Sequence, residues 1–160
     1  MLAQQFVGVI IKRQSMLPFE NLAHEELELL YQAPVLLSVQ VSCSENGVDK
    51  NQKADAIRLA HLKSFTANPK LLSYYSKVDK VFKERFETAL QKYCPLNADN
   101  QQQLRKEMDK INAVINKLDP SYQFLLRKSL DKYATHVRKA NHSVVQDFII
   151  PIPIPGLTDY

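Results

Sequence analysis

The strongest periodic signal in the chain lies in residues 68–95, which read NPKLLSYYSKVDKVFKERFETALQKYCP. Asn68 is a favourable helix cap, and Pro69 occupies the first helical position, where proline is well tolerated. Apolar side chains then recur at steps of three and four residues, the spacing of one helix face. The segment therefore predicts a long amphipathic helix that ends at Cys94. Its apolar stripe consists of Leu71, Tyr75, Val78, Phe82, Phe86, Ala89 and Tyr93.

Two more stripes of the same kind follow this segment. After a polar loop at residues 96–100, a fifth helix is predicted, and the cap-then-proline pair at residues 119–120 starts a sixth. The repeated agreement between caps, prolines and apolar period favours a helical bundle. The stripe of the fifth helix is Leu104, Met108, Ile111, Ile115 and Leu118, and that of the sixth is Tyr122, Leu126, Leu130, Tyr133, Val137 and Ala140.

Two helices are predicted upstream, on either side of Pro34. The first covers residues 22–32 behind the N-cap Asn21, and the second covers residues 34–44. Pro34 separates them because proline lacks the N–H that the helical ladder needs, whereas it is tolerated at the start of a new helix. The second helix is apolar nearly all round, which predicts that it is the most buried helix of the protein.

A third helix is predicted over residues 49–66. Asp49 is its N-cap, and Gln52 stands where a capping-box partner is expected. Gly47 ends the preceding segment, because glycine adopts a positive φ without strain. The apolar stripe of the third helix is assigned to Ala54, Ile57, His61 and Phe65, so His61 is interpreted as a buried, hydrogen-bonded histidine.

These segments predict an all-α protein, a compact bundle of about six helices with an extended Ile-Pro tail. A chain of 160 residues fits one domain with a proper core. We divide it into an N-terminal segment (1–20), a helical body (21–142) and the tail (143–160). With only 3 glycines, a turn-rich sandwich and a Gly-rich phosphate loop are both disfavoured.

Composition excludes several functional classes. Hydrophobic residues make up 45% and charged residues 24% of the chain, as in a globular protein. The net charge of +4 is too small to indicate nucleic-acid binding. No apolar run approaches the roughly 18 residues of a transmembrane helix. Residues 1–40 are acidic and the remainder is basic, so an acidic first helix is expected to pair with a basic body.

Cys43 and Cys94 are predicted to be buried free thiols. They are far apart in sequence and form no CxxC pair, and two thiols make a poor disulfide framework for a chain of this length. Residues 1–11 are apolar, but the basic residues Lys12 and Arg13 follow them, which is the wrong order for a secretory signal. The sequence therefore predicts a cytoplasmic protein.

Residues 42–53 have the length of a calcium-binding EF-hand loop, with Gly47 at the sixth position. Calcium needs carboxylate ligands and a bidentate Glu at the twelfth position, where this sequence has Lys53. We therefore expect no metal site and no cofactor. Glu45 and Asp49 are the weak candidates that remain for a cation.

Catalytic chemistry has little support in the sequence. The histidines form no HExxH motif. Cys43 and His61 could in principle form a nucleophile pair, which would suit a small hydrolase. Nothing places an oxyanion hole beside them, so no catalytic residue is expected.

Two features point to contact with a partner. Lys128, Lys132 and Lys139 share one side of the sixth helix, with Arg127 and Arg138 nearby, and could face solvent or an anionic partner. The tail alternates isoleucine and proline, which offers apolar area at low ordering cost. It could cover a groove of its own chain or dock on a partner or a second copy. Its apolar residues are Ile150, Ile152 and Ile154.

Several short motifs resemble the tellurite-resistance TerB-like helical family, closest to an uncharacterised Bacteroidetes-type branch. The resemblance covers roughly residues 17–140. The motifs are APVLLS at residues 33–38, ENGVD at 45–49, NPKLLSYY at 68–75, LD at 118–119 and YATHVRKA at 133–140.

The resemblance implies a compact α-helical domain. It also implies a loop that reads Ala-Asp-Gly after the buried helix, with a later acidic residue, and these acids are thought to bind a metal. This sequence has Asn46 and Lys53 at the corresponding positions, so the fold carries over better than the metal site. Membrane-associated stress or defence complexes are the usual context of the family.

The hypothesis that follows is a non-enzymatic, TerB-like protein-interaction module in a stress-response context. Its partner is expected to be another protein or a second copy, with no small-molecule substrate and no nucleic acid. Two alternatives stay open. One is a degenerate metal-responsive domain at residues 45–53, and the other is the small Cys/His hydrolase.

Overall fold

The structure is a computed structural model that describes residues 18–139. Five α-helices make up most of that range, so the all-α class is confirmed and the count of about six is slightly too high. A β-hairpin joins the first two helices, and a 3-10 turn at Pro69–Leu71 precedes the third. The elements are α1 (His24–Ser42), β1 (Cys43–Ser44), β2 (Gly47–Val48), α2 (Lys50–Thr66), α3 (Leu72–Tyr93), α4 (Ala98–Ile115) and α5 (Pro120–Lys139).

The helix count differs because α1 runs through Pro34. The two helices predicted on either side of this proline form one continuous helix. Pro34 removes the N–H that would bond to the Leu30 carbonyl one turn earlier. The Tyr74 hydroxyl of α3 donates to that carbonyl at 2.8 Å, so the orphaned acceptor is satisfied from a neighbouring helix. A tertiary hydrogen bond thus replaces the local one that the proline deletes.

α1 is the central helix and packs against each of the other four. Every position from Leu30 to Ser42 except Gln32 is buried, as the apolar run predicted. Its serine hydroxyls form hydrogen bonds to carbonyls of the same helix or to a side chain of a neighbouring helix. Ser38 Oγ lies 2.8 Å from the Tyr133 hydroxyl, which also donates to the Ala56 carbonyl at 2.9 Å. This chain of hydrogen bonds links α1, α2 and α5 in the core.

The three downstream stripes are confirmed. Every member of the α3 stripe and of the stripe that runs from α4 to Leu118 is buried, and so are the α5 members up to Val137. Ala140 lies outside the described residues. The predicted cap of α5 agrees as well, because Asp119 Oδ2 accepts from the Ser121 amide at 3.1 Å and the helix begins at Pro120. The loop predicted at residues 96–100 is shorter than expected, because α4 begins at Ala98 behind Asn97, whose Oδ1 accepts from the Asn100 amide at 2.8 Å.

The stripe assigned to α2 is wrong. Its buried residues are Gln52, Ala56 and Ala60, while Phe65 is 70% exposed. Small side chains on the inner face allow α2 to lie close to its neighbours, which a search for large apolar residues does not detect. Asp49 caps the helix as predicted and accepts from the Asn51 and Gln52 amides, each at 2.9 Å.

The hairpin ends α1 and turns at Gly47. Cys43 pairs with Val48 and Ser44 pairs with Gly47 in antiparallel register. Gly47 has φ +105°, the positive value expected for this glycine. Gln52 does not complete a capping box, because its side-chain amide donates to the Arg138 carbonyl at 3.4 Å. The hairpin therefore separates α1 from α2 by the seven residues 43–49.

The acidic start of α1 pairs with the basic body, as the charge distribution predicted. Glu28 forms an ion pair with Arg85 of α3, and Glu26 forms one with Lys117 after α4. These pairs lie at the surface, where an ion pair adds little stability but fixes orientation. The N-terminal segment before residue 18 and the Ile-Pro tail lie outside the described residues, so their predicted conformations stay predictions.

Candidate functional site

The two cysteines form a disulfide, so the prediction of free thiols is wrong. Cys43 at the end of α1 is bonded to Cys94 at the end of α3, with a Cα–Cα distance of 5.9 Å. Their sequence separation of 51 residues hid the pairing, because it depends on two helices that end side by side. The bond ties the central helix to α3 next to the hairpin.

The disulfide removes the basis of the Cys/His hydrolase. Cys43 carries no thiol, and its side chain is buried. His61, predicted to be buried, is exposed on α2, where Nδ1 lies 3.0 Å from Asp79 Oδ2 of α3. The His61 ring also contacts Phe65 edge-on, with centroids 5.2 Å apart. The structure therefore does not bring the proposed nucleophile and base together.

The candidate cation ligands have separate surroundings. Glu45 is exposed at the tip of the hairpin, and the Asp49 carboxylate is engaged as the cap of α2. In residues 18–139, no group of three or more His, Cys, Asp or Glu side chains converges as metal ligands do. The metal-responsive domain stays a prediction. A thermal shift with calcium, zinc or magnesium that disappears in the Glu45→Ala, Asp49→Ala variant would support it.

The predicted lysines are exposed on α5, but they do not act as one cluster. Lys128 Nζ lies 5.8 Å from the centre of the exposed Phe124 ring, a cation–π distance. Lys132 lies one turn further along, close enough to Lys63 of α2 to affect its pKa. Lys139 ends the helix, about 20 Å from Phe124 at 1.5 Å per residue. The arginines also differ from expectation, since Arg127 is 2% exposed and bonds to the side chains of Asn112 and Asn116.

α2 and α5 pack side by side, and the order of their contacts along the two helices shows that they run in opposite directions. Near one end, Gln52 bonds to the Arg138 carbonyl. Further along, Lys63 Nζ lies 5.8 Å from the centre of the Tyr75 ring, and the Tyr75 hydroxyl lies 2.6 Å from Ser129 Oγ. The last turns of α2 and the first turns of α5 therefore occupy the same end of this helix pair.

That end carries most of the large apolar side chains that the described residues expose. Leu62 is 41% exposed, Phe65 70% and Phe124 39%, and Val48 in the hairpin is the fourth member of this group. Three lysines lie among or beside them. We call this set the α2–α5 surface, and it comprises Leu62, Lys63, Phe65, Phe124, Lys128 and Lys132.

The charges on the α2–α5 surface repel one another. Burial lowers the pKa of the Lys63 ammonium, and the positive charge of Lys132 lowers it further. No ion pair in the described part of the chain involves Lys63, Lys128 or Lys132. A negatively charged group placed between α2 and α5 would relieve this repulsion. The surface thus combines apolar area with uncompensated positive charge.

Sequence reasoning found two of these residues and missed four. Lys128 and Lys132 were identified as a basic stripe, whereas Phe65 was assigned to the core. The available signal was the pair Phe124 and Lys128 at an i, i+4 spacing on the polar face of α5. The contribution of α2 depends on the antiparallel packing and could not be obtained from periodicity.

Comparison with known proteins assigns no relatives to the chain. No protein family, curated protein or solved structure matches it. Within residues 18–139, no helix is both long enough and apolar enough to cross a membrane.

Proposed function

We propose that this protein is a non-enzymatic interaction module whose α2–α5 surface binds an acidic, amphipathic segment of a partner protein. The observation that carries the proposal is the exposure of Leu62, Phe65 and Phe124 at one end of the helix pair. Single exposed apolar side chains are common, whereas apolar residues gathered with cations are typical of interfaces.

The chemistry of the partner follows from the charges. A carboxylate that bridges Lys63 and Lys132 would remove their mutual repulsion, and a second would reach Lys128. An amphipathic helix presents apolar residues at i, i+3, i+4 and i+7, with polar residues beside them. Such a helix can place leucine-type side chains against Leu62 and Phe124 while its acids face the lysines.

We also propose that the domain is TerB-like, with a role in stress response. Support comes from the short motifs named above and from the all-α fold, in which the buried helix leads into the turn at Gly47. The tail residues Ile150, Ile152 and Ile154 and the more distant Lys139 are further candidates for partner contact, and they stay predictions. The tail lies outside the described residues.

The test is a comparison of bound proteins in the native cell. Three tagged proteins are captured in parallel: the wild type and two variants. Phe124→Asp replaces an apolar ring of the surface with a negative charge. Gln103→Asp places the same charge at an exposed position of α4 and serves as the control. We expect one protein with an acidic amphipathic segment to be retained by wild type and Gln103→Asp and lost by Phe124→Asp. Its binding should weaken as salt is raised.

Identical protein sets for all three chains would refute the proposed surface. Light scattering of the purified protein tests whether a second copy of the chain occupies the surface. A concentration-dependent dimer that Phe124→Asp abolishes would identify a second copy as the occupant and would replace the acidic partner. Both variants must retain the wild-type unfolding midpoint, since surface substitutions normally change stability by no more than about 0.5 kcal/mol.

The cellular location needs its own experiment. The cytoplasmic location is a sequence prediction based on the lack of a secretory-signal pattern at the N-terminus, whereas the Cys43–Cys94 bond favours an oxidising compartment. Rapid alkylation of thiols in intact cells, followed by a gel shift, measures the state of both cysteines. Unmodified protein would place the chain where disulfides persist, whereas double modification would support the cytoplasm.

A further inference from the structure

A groove of about 280 Å³ lies between α3 and α4 and is floored by α1. Both outer helices pack along α1, and Gln32 and Leu36 of α1 line the space between them. Ala89 and Tyr93 of α3 complete an apolar wall beside Leu36. The groove is separate from the α2–α5 surface and shares no residue with it.

Two of the four charged residues that line this groove already have a partner. Arg85 forms an ion pair with Glu28, and Glu107 accepts from Lys110 at 2.6 Å. The Glu84 carboxylate differs, because no hydrogen bond or ion pair to it is found within the described range. The groove therefore offers one uncompensated negative charge on its α3 rim.

Gln32 adds an unmet acceptor at the floor. Its Oε1 is buried and has no hydrogen-bond partner in residues 18–139. A buried acceptor without a donor is costly, and native proteins seldom leave one unsatisfied without a reason. The amide can turn about its last side-chain bond and present this oxygen to a donor that enters the groove.

We propose that this groove binds a small molecule that carries a primary ammonium group on a short apolar body. The ammonium supplies three donors, of which Gln32 Oε1 takes one and the Glu84 carboxylate another. The apolar body packs against Leu36, Ala89 and Tyr93. Such a molecule satisfies the buried Gln32 acceptor, pairs with the exposed Glu84 carboxylate and fits the volume of the groove.

Two sources share this chemistry, a free amino acid and a simple amine. Lys92 distinguishes them, because its ammonium lies 5.0 Å from the centre of the Tyr93 ring and has no carboxylate partner among the described residues. A ligand carboxylate would pair with Lys92. Leucine should therefore bind more tightly than isoamylamine if the natural ligand is an amino acid, and no more tightly if it is an amine.

The experiment is an NMR titration of the full chain with three probes of similar shape. Leucine carries both charged groups, isoamylamine lacks the carboxylate and isocaproate lacks the ammonium. We expect leucine and isoamylamine to shift the amide signals of Gln32, Glu84 and Thr88 in the millimolar range, and isocaproate to leave them unchanged. Gln32→Met and Glu84→Gln should each weaken binding about tenfold.

Glu45→Gln, a matched change on the exposed hairpin, should leave the affinity unchanged. Amide spectra of the free variants confirm that each is folded before its affinity is read. The proposal is overturned if none of the probes shifts the groove signals, or if isocaproate binds as well as isoamylamine. It is equally overturned if Gln32→Met and Glu84→Gln both bind like wild type.

Discussion

Pro34 and Tyr74 show how a single residue pair sustains the central helix. Pro34 leaves the Leu30 carbonyl without its helical donor, and the Tyr74 hydroxyl supplies a replacement at 2.8 Å in a fully buried position. From the sequence, Pro34 is a helix boundary, because the compensating donor lies 40 residues further along the chain. The prediction failed for this reason, although the burial of the helix was predicted correctly.

The Tyr74→Phe substitution should destabilise the protein by about 2 kcal/mol, because it strands a buried carbonyl. Urea unfolding measures the change. In a Pro34→Ala background the residue 34 amide can bond to Leu30, so the same substitution should cost clearly less. Equal costs in the two backgrounds would show that the hydroxyl does not substitute for the missing amide.

Buried tyrosines should make the protein sensitive to alkaline pH. Burial raises the pKa of Tyr74, Tyr75 and Tyr133 in the folded state above the ordinary value of 10.0. A group with a raised folded pKa stabilises the protein fully below the unfolded pKa and loses that contribution as pH rises through the folded pKa. Stability should therefore fall above about pH 10, by about 1.4 kcal/mol per pH unit for each such tyrosine.

Tyr75→Phe provides the control for this pH dependence. The variant loses the contact with Ser129, which lowers stability at every pH, and it also removes one titrating group. Urea midpoints measured on either side of pH 10 should therefore show a shallower decline for Tyr75→Phe than for wild type. Parallel declines would mean that Tyr75 does not contribute to the alkaline loss.

Among the elements, those with large apolar stripes were predicted best. The stripes of α3, α4 and α5 follow from the 3.6-residue period, since each buries long side chains on one face. α2 was misread because its fully buried apolar residues, Ala56 and Ala60, bury little area, whereas Leu62 and Phe65 are exposed. Its other large apolar side chains, Ile57 and Leu59, are only partly buried against the core. Of the six residues in the candidate surface, the sequence therefore identified only the two lysines of α5, Lys128 and Lys132.

The disulfide joins the ends of α1 and α3 and should contribute strongly to stability. Closing a separation of 51 residues restricts the unfolded chain by about 4 kcal/mol in the chain-entropy account. The Cys43→Ala, Cys94→Ala variant should lose about that amount in urea unfolding. Wild-type protein under reducing conditions should lose a similar amount, whereas the reductant should leave the double variant unchanged. A loss below about 1 kcal/mol in both would contradict a stabilising role for the bond.

At the scale of the whole molecule, the tail deserves a separate measurement from the α2–α5 surface. Deletion of residues 143–160 removes Ile150, Ile152 and Ile154 but no residue of the described helices. If the tail is an arm for a partner, the truncated chain should lose a bound protein that Phe124→Asp retains. An unchanged set of bound proteins, together with a lower unfolding midpoint, would instead assign the tail to its own chain.

The fold places an exposed apolar and cationic surface on the α2–α5 pair and a separate groove, with apolar and charged walls, between α3 and α4. The class of the fold was predictable from the sequence, because three long stripes and their caps agree. Neither surface was predictable in full, since each joins residues from two or more helices whose packing directions periodicity does not specify.

Site-specific photocrosslinking in the native cell tests the proposed interaction most directly. A photoreactive residue is introduced at position 65 or 124 in the surface, or at position 103 on α4 as the matched control. We expect the same partner protein to be crosslinked from positions 65 and 124 through an acidic segment, and no partner from position 103. Adducts from position 103 alone, or none from either surface position, would contradict a partner-binding role for the α2–α5 surface.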